Sequence, residues 1–228
     1  MLFAYPSKAA FNRVIPKTKF YEHAKPSPTL KARFVSEISQ VVWSYKLAPE
    51  TINLPPSDGV QEIQIFSITL KEESIDESVL RAIDRSVPSP IIFELHRVKD
   101  AMTVAAFKRP SQADSNSWVV GDYFATDWEE IGKERSSLPL ALSLGSLYEK
   151  LLKSLSPLKC RVGETLQQLC ERYASICSKQ SEKMKLEAKL KAEKQFNRKV
   201  EINTALRRID TELDELSAAT AQISNTTE

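Results

Sequence analysis

The fold is decided by a stretch in the middle of the chain, residues 91–107, which reads IIFELHRVKDAMTVAAF. Its two ends, residues 91–95 and 103–107, are rich in β-branched and aromatic side chains, which favour β-strands. The sequence RVKD at residues 97–100 separates them and is typical of a turn. We therefore predict a β-hairpin here.

The segments before this hairpin predict two helices and a further strand. Apolar residues in residues 29–47 recur at spacings of three and four, which predicts one amphipathic helix over the whole segment. Residues 60–70 alternate as a strand does. Residues 74–86 return to helical spacing, with acids in the first turn, where they favour the helix dipole. The predicted order is helix, strand, helix and hairpin.

After the hairpin, residues 118–120 could add a short strand, and residues 138–155 have the spacing of a helix. Residues 111–137 are rich in Asp, Ser and Asn with aromatics interspersed, which predicts a loop that either carries binding or closes one edge of the core. The fold class is therefore α+β: a small mixed sheet with packed helices, followed by a long C-terminal helix with coiled-coil character.

The C-terminal part repeats apolar residues with heptad-like spacing. The first run ends at Ile176, and a highly charged segment, residues 179–199, separates it from a second run that is out of step with the first. This break argues against one uninterrupted dimeric coil, so the helix either crosses solvent or folds back on another surface. The second run is the predicted coiled-coil seam: Ile202, Leu206, Ile209, Leu213, Leu216 and Ile223.

These patterns divide the chain into four segments. Residues 1–157 form the α+β domain and residues 158–201 a basic helical segment. Residues 202–224 form the coiled-coil segment and residues 225–228 a disordered tail.

Composition excludes several functional classes. There are three cysteines without a Cys-x-x-Cys pair and two histidines, which disfavours a structural zinc site. The five glycines form no nucleotide-binding loop, and we expect no cofactor. We also expect no signal peptide and no membrane partner, and hence a cytoplasmic protein with reduced thiols.

The net charge is only +2, but the positive charge is concentrated in two places. Residues 1–50 contain eight Lys or Arg against three acids, and residues 164–201 contain nine against six. Such patches contact nucleic-acid phosphates or are solvated surfaces.

Several stretches resemble a bacterial family catalogued as domain of unknown function 4391. They are residues 15–21 (IPKTKFY), residues 41–47 (VVWSYKL) continuing into 50–53 (ETIN), residues 62–65 (EIQI) and residues 193–203 (EKQFNRKVEIN). The resemblance implies a gene neighbourhood of DNA methyltransferases and superfamily-two helicases in restriction-like and anti-phage systems. It implies such an enzyme as partner and brings no active site with it.

Polar residues within these stretches are the candidate binding residues. Amide and basic groups on one helix can contact phosphates, base edges or a partner protein. The alternatives are structural: a chain entry packed on Ile15 and Phe20, a capping turn beside Trp43, and a polar seam that fixes register. The candidates are Lys17, Lys19, Lys46, Asn53, Gln195, Asn197, Arg198, Lys199 and Asn203.

A nuclease of the restriction type would need an acidic pair and a lysine at neighbouring strand positions. Asp58, Glu62 and Lys71 come nearest, but the residue two before Lys71 is Thr69. Likewise, the residue two after Glu94 is His96, where a lysine is required. We therefore favour no catalytic or metal residues.

The function predicted is that of a non-catalytic accessory or adaptor protein. It would engage nucleic acid, or a methyltransferase or helicase, and self-associate through its C-terminal coil. The alternatives are a degenerate or cryptic metal-dependent nuclease and a purely structural oligomerisation protein. Salt-dependent DNA binding would separate the adaptor from the structural protein.

Overall fold

The computed structural model describes residues 2–24, 26–111 and 118–218. It divides the chain into two compact units, Met1–Pro157 and Leu158–Glu228. The strands are β1 (Phe3–Ala4), β2 (Ala10–Val14), β3 (Ile38–Leu47), β4 (Ile63–Leu70), β5 (Ile91–His96), β6 (Asp100–Pro110), β7 (Trp118–Ala125), β8 (Glu129–Glu130) and β9 (Ser136–Ser137). The helices are α1 (Lys17–Ala24), α2 (Pro28–Glu37), α3 (Pro49–Ile52), α4 (Glu77–Ser86), α5 (Leu144–Leu155), α6 (Leu166–Ala192) and α7 (Phe196–Ser217).

A mixed sheet organises the first unit, with strands in the order β2-β3-β4-β5-β6-β7 and β8 paired to β6. Strands β4 and β5 are parallel and are connected through α4, whereas the other neighbours are antiparallel. Side chains from α1, α2 and α4 form one core with β4 and β5, centred on Phe34, Phe66 and Phe93. The predicted α+β class and the hairpin at residues 91–107 are confirmed.

The helix predicted over residues 29–47 is wrong in its second half, which is strand β3. Helix α2 ends at Glu37, and β3 then pairs antiparallel with β4. Register shifts leave Ser39 and Ser44 as extra residues in β3, so its buried positions fall three apart. Bulges of this kind give a strand the apolar spacing of a helix, which misled the periodicity argument.

Two further predictions need correction. The short strand considered at residues 118–120 is present, but it is longer: β7 runs from Trp118 to Ala125 within the predicted loop and pairs with β6. Residues 112–117 of that loop lie outside the described residues. Helix α5 begins at Leu144, not near residue 138, because the Ser143 side chain accepts a hydrogen bond from the Ser146 backbone N–H and caps it.

The second unit is an antiparallel pair of helices, α6 and α7, separated by a break at residues 193–195. The chain therefore folds back on itself, which is one of the two arrangements that the sequence left open. Helix α6 ends before residue 193, eight residues before residue 201, where the predicted basic helical segment ends. Ile209 is buried and Ile202, Leu206, Leu213 and Leu216 are half-buried, while Ile223 and residues 225–228 lie outside the described part. Pairing of these seam residues with another chain remains a prediction.

Candidate functional site

A concentrated basic surface lies where α6 passes into α7. We call residues 185–200 the hairpin tip; they contain six Lys or Arg residues and two Glu. The first turn of α7 contains no acidic residue that would offset the positive end of its dipole. The hairpin tip is therefore an electrostatic surface that favours anions.

Interhelical ion pairs neutralise lysines nearer the base of the hairpin but not those of the tip. Lys179 pairs with Glu212, and the Lys183 Nζ lies 2.6 Å from an Asp210 carboxylate oxygen. Beyond this point α7 contributes only one acid, Glu201. Within the described ranges, five tip lysines have no acidic side chain in ion-pair contact: Lys185, Lys189, Lys191, Lys194 and Lys199.

Glu193 holds the turn between the two helices. Its Oε1 accepts hydrogen bonds from the backbone N–H groups of Gln195 and Lys194, both at 2.8 Å. These hydrogen bonds stabilise the charged carboxylate and hold the pKa of Glu193 below its ordinary value. The Arg198 guanidinium is 3.9 Å from the same carboxylate, so one of the two tip acids is already engaged.

Two apolar side chains stand out of this basic surface. Phe196 is 78% exposed and Val200, four residues later, is 49% exposed. Residues four apart lie on one side of a helix, so the two side chains form a small exposed apolar patch. Neither residue is among the predicted site residues, although Phe196 stands out in the sequence as a lone aromatic within a highly charged segment.

Of the predicted site residues, those in α7 and the preceding turn are all exposed. Gln195, Asn197, Arg198 and Lys199 lie together at the tip, and Asn203 follows one turn later. The seam facing α6 consists instead of apolar residues such as Ile202 and Leu206, so the placement of the amides does not support the register-fixing alternative.

Lys17 and Lys19 lie in α1, and the side chains of both make contacts within the first unit. The Lys17 Nζ donates to the Ile38 carbonyl oxygen at 2.5 Å, and burial, followed by the charge of Lys71, lowers its pKa. The Lys19 amino group lies 3.0 Å from the Glu22 carboxylate. Both lysines therefore have structural contacts, and a binding role for them stays a prediction.

Lys46 and Asn53 lie near the opposite end of β3. Lys46 contacts Glu50 and Glu62, each at 3.1 Å. Asn53 ends α3 in a left-handed conformation, with φ of 57°, and its backbone N–H bonds to the Pro49 carbonyl. Strand β3 spans ten residues, or roughly 30 Å, so Lys17 and Lys46 do not form one site.

The residues considered for a nuclease are also separated. Glu62 directly precedes β4 and Lys71 directly follows it, with eight strand residues between them, or roughly 26 Å. Asp58 lies in a turn with φ of 53°. Over the described residues, no cluster of three or more His, Cys, Asp or Glu side chains has the arrangement of a metal site.

Two buried ionic contacts in the first unit were not predicted. Lys108 of β6 reaches Asp84 of α4, with 3.4 Å between amino and carboxylate groups. Arg135 makes two hydrogen bonds to the Glu94 carboxylate, at 2.8 and 3.1 Å. Both contacts join segments distant in sequence, and both carboxylates are almost fully buried, so they hold the fold together and are inaccessible to a large ligand.

These features define a two-unit α+β protein whose second unit is a helical hairpin with a basic tip. The chain belongs to the family described as Domain of unknown function (DUF4391), whose model matches residues 3–213. This confirms the resemblance found in the sequence. No curated protein and no solved structure matches the chain. Among the described helices, none is long and apolar enough to cross a membrane.

Proposed function

We propose that the chain is a non-catalytic accessory protein of a bacterial restriction-like or anti-phage system, and that its hairpin tip engages nucleic acid. One observation carries the proposal: the lysines of the tip lack the acidic partners that neutralise Lys179 and Lys183. Unpaired Lys and Arg groups bind phosphates by releasing condensed counterions, which requires no base recognition.

The DNA methyltransferase or helicase partner is part of this proposal. The tip would hold the nucleic acid on which such an enzyme acts, and the remaining surface of the protein would contact the enzyme. The support for this partner is the family resemblance, since the protein–protein surface has no marker as clear as the basic tip.

The nucleic-acid part is tested by fluorescence anisotropy of labelled DNA between about 50 and 200 mM salt. We expect affinity to fall steeply with salt, and Arg198→Gln/Lys199→Gln to lower the slope of log K against log salt by about 2. Arg207→Gln/Arg208→Gln is the matched control, because it removes the same charge from α7 about 13 Å further from the tip. Equal effects of the two double variants would contradict the proposed site.

The partner is tested by purifying the tagged protein from its host, with and without nuclease treatment of the lysate. Co-purification of a methyltransferase or helicase in both samples supports a direct contact. Loss of the enzyme on nuclease treatment would show that nucleic acid bridges the two proteins, and recovery of the chain alone would contradict the adaptor role.

A second candidate function is structural oligomerisation through the hairpin. It is favoured by the seam residues Ile202 and Leu206, which the α6–α7 pair leaves half-exposed. In this case Leu206→Lys would convert an oligomer to a monomer in sedimentation experiments, and DNA binding would be absent at low salt.

A further inference from the structure

Phe196, the first residue of α7, is highly exposed for an aromatic side chain. Its ring is 78% exposed, whereas Phe11, the next most exposed phenylalanine among the described residues, is 42% exposed and lies 4.1 Å from the Trp43 ring. Phe196 makes no ring contact with another aromatic in the part of the chain that the structure describes. The fold thus leaves this aromatic surface available.

The position of Phe196 matters as much as its exposure. Phe196 follows the turn held by Glu193, and the exposed Arg198 and Lys199 come two and three residues after it. The pair Lys194 and Gln195 precedes it. An aromatic ring among basic and amide groups is the combination that proteins use for single-stranded nucleic acid, since bases stack on the ring while the cations follow the phosphates.

We propose that Phe196 is a base-stacking residue and that the hairpin tip recognises nucleic acid with unpaired bases, either a single strand or the junction between single and double strands. This inference rests on the proposed function. The Phe196 ring stacks on one base, and Arg198, Lys199 and Lys194 contact the flanking phosphates. Every base has an aromatic face, so the site has little sequence preference.

The same ring could instead anchor a protein partner, but the surroundings favour nucleic acid. Protein hot spots are desolvated clusters surrounded by other contacts that exclude water. Among the described residues of α7, the one other large apolar side chain that is exposed is Val200, and the surrounding charge is positive. A base supplies a flat apolar surface and its own negative phosphates.

The test measures binding of the full chain to a labelled single strand, to the matching duplex, and to a junction of the two. We expect tighter binding to the single strand and junction than to the duplex. Phe196→Ala should weaken single-strand binding about 5- to 150-fold, the loss seen for one stacked base. Phe196→Tyr should retain it, and Val200→Ala is the control for loss of exposed apolar surface on the same helix.

A strand containing the fluorescent base 2-aminopurine reports the stacking itself. We expect its fluorescence to be quenched by the wild type and by Phe196→Tyr, but not by Phe196→Ala. Phe196 buries little surface, so the far-ultraviolet circular dichroism of the variants should match that of the wild type, which verifies that they fold.

Failure of this inference can be separated from failure of the proposed function. Binding to duplex and single strand alike, weakened by Arg198→Gln/Lys199→Gln but not by Phe196→Ala, would overturn base stacking and leave the proposed function intact. Absence of binding to all three probes would overturn both. Loss of a co-purified protein by Phe196→Ala, with nucleic-acid binding unchanged, would assign the ring to a protein interface and overturn the inference.

Discussion

Replacement of the buried lysine of β6, Lys108→Met, should strongly destabilise the first unit. The Lys108 amino group donates to the carbonyl oxygens of Asp84, at 2.5 Å, and Ser89, at 3.1 Å, and also contacts the Val87 carbonyl. It thus supplies donors to the C-terminal end of α4, where backbone carbonyls have no partner within the helix. Methionine has a similar length but donates no hydrogen bond.

The size of the effect follows from the burial of Asp84, which is 1% exposed. After the substitution its carboxylate keeps a hydrogen bond from the Tyr123 hydroxyl, at 2.8 Å, but loses its ion pair with Lys108, which offsets part of the effect by which burial raises the pKa of Asp84. Removal of one partner of a buried ion pair costs about 3–5 kcal/mol. That is a large fraction of the roughly 5–15 kcal/mol by which a domain is stable.

Tryptophan fluorescence in urea is the appropriate assay, because Trp43, Trp118 and Trp128 all lie in the first unit and none lies in the second. For an m-value of about 2 kcal/mol/M, the midpoint should fall by about 2 M. The control is Lys46→Met: this lysine side chain is 30% exposed, so its substitution should cost less than about 1 kcal/mol.

A loss of less than about 1 kcal/mol for Lys108→Met, with an unchanged m-value, would show that the buried lysine does not stabilise the first unit in this way. A second variant isolates the charge: Asp84→Asn combined with Lys108→Met removes the unpaired carboxylate and should recover part of the lost stability. If the double variant were less stable than Lys108→Met, the cost of burying the Asp84 charge without its partner could not be the cause.

Three further outcomes are expected. Tyr5→Phe should raise stability by about 1 kcal/mol in the same urea experiment, because the Tyr5 hydroxyl is buried without a hydrogen-bond partner in the described structure. Gly145→Ala should lower it by about 1–3 kcal/mol, because its new Cβ would lie 2.5 Å from Ser57 Oγ and 2.8 Å from the Ser57 carbonyl. Hydrogen bonding to Arg172 is the largest cause that lowers the pKa of Glu164. The contribution of Glu164 to stability should therefore be complete above its unfolded pKa of about 4.3 and disappear as pH falls through the lower folded value. Amide exchange in α7 across this range measures it, and Arg172→Met should weaken the dependence, which the backbone N–H and the charge of Arg161 partly maintain.

Local patterns predicted the elements whose buried residues follow the normal period. Helix α4 and the β5–β6 hairpin both appear where the sequence places them. The two apolar runs correspond to two separate helices, α6 and α7, because a break in the heptad register prevents one continuous helix from burying both runs on one side. In each case the side chains that define the element are close together in sequence.

Strand β3 shows where local patterns fail. Its helical spacing is produced by two bulges, and these exist only because β3 pairs with β4, a strand that begins 16 residues after β3 ends. Likewise, Lys108 and Asp84 are 24 residues apart, so a window of about 11–18 residues, the length that reveals helix or strand periodicity, does not contain both partners. The residue types in β3 and at positions 84 and 108 are compatible with both buried and exposed environments, so their structure depends on partners that are distant in sequence.

The sequence alone determined that the C-terminal part is helical, apolar along one side and basic in the middle, because helix periodicity and charge are properties of neighbouring residues. Only the tertiary structure decided which of those charges are neutralised. The fold-back of α7 onto α6 places Asp210 and Glu212 beside Lys183 and Lys179, and leaves the lysines nearer the turn without such partners. The same fold-back leaves Phe196 exposed at the turn, since a side chain at the end of a two-helix hairpin has no facing helix to pack against.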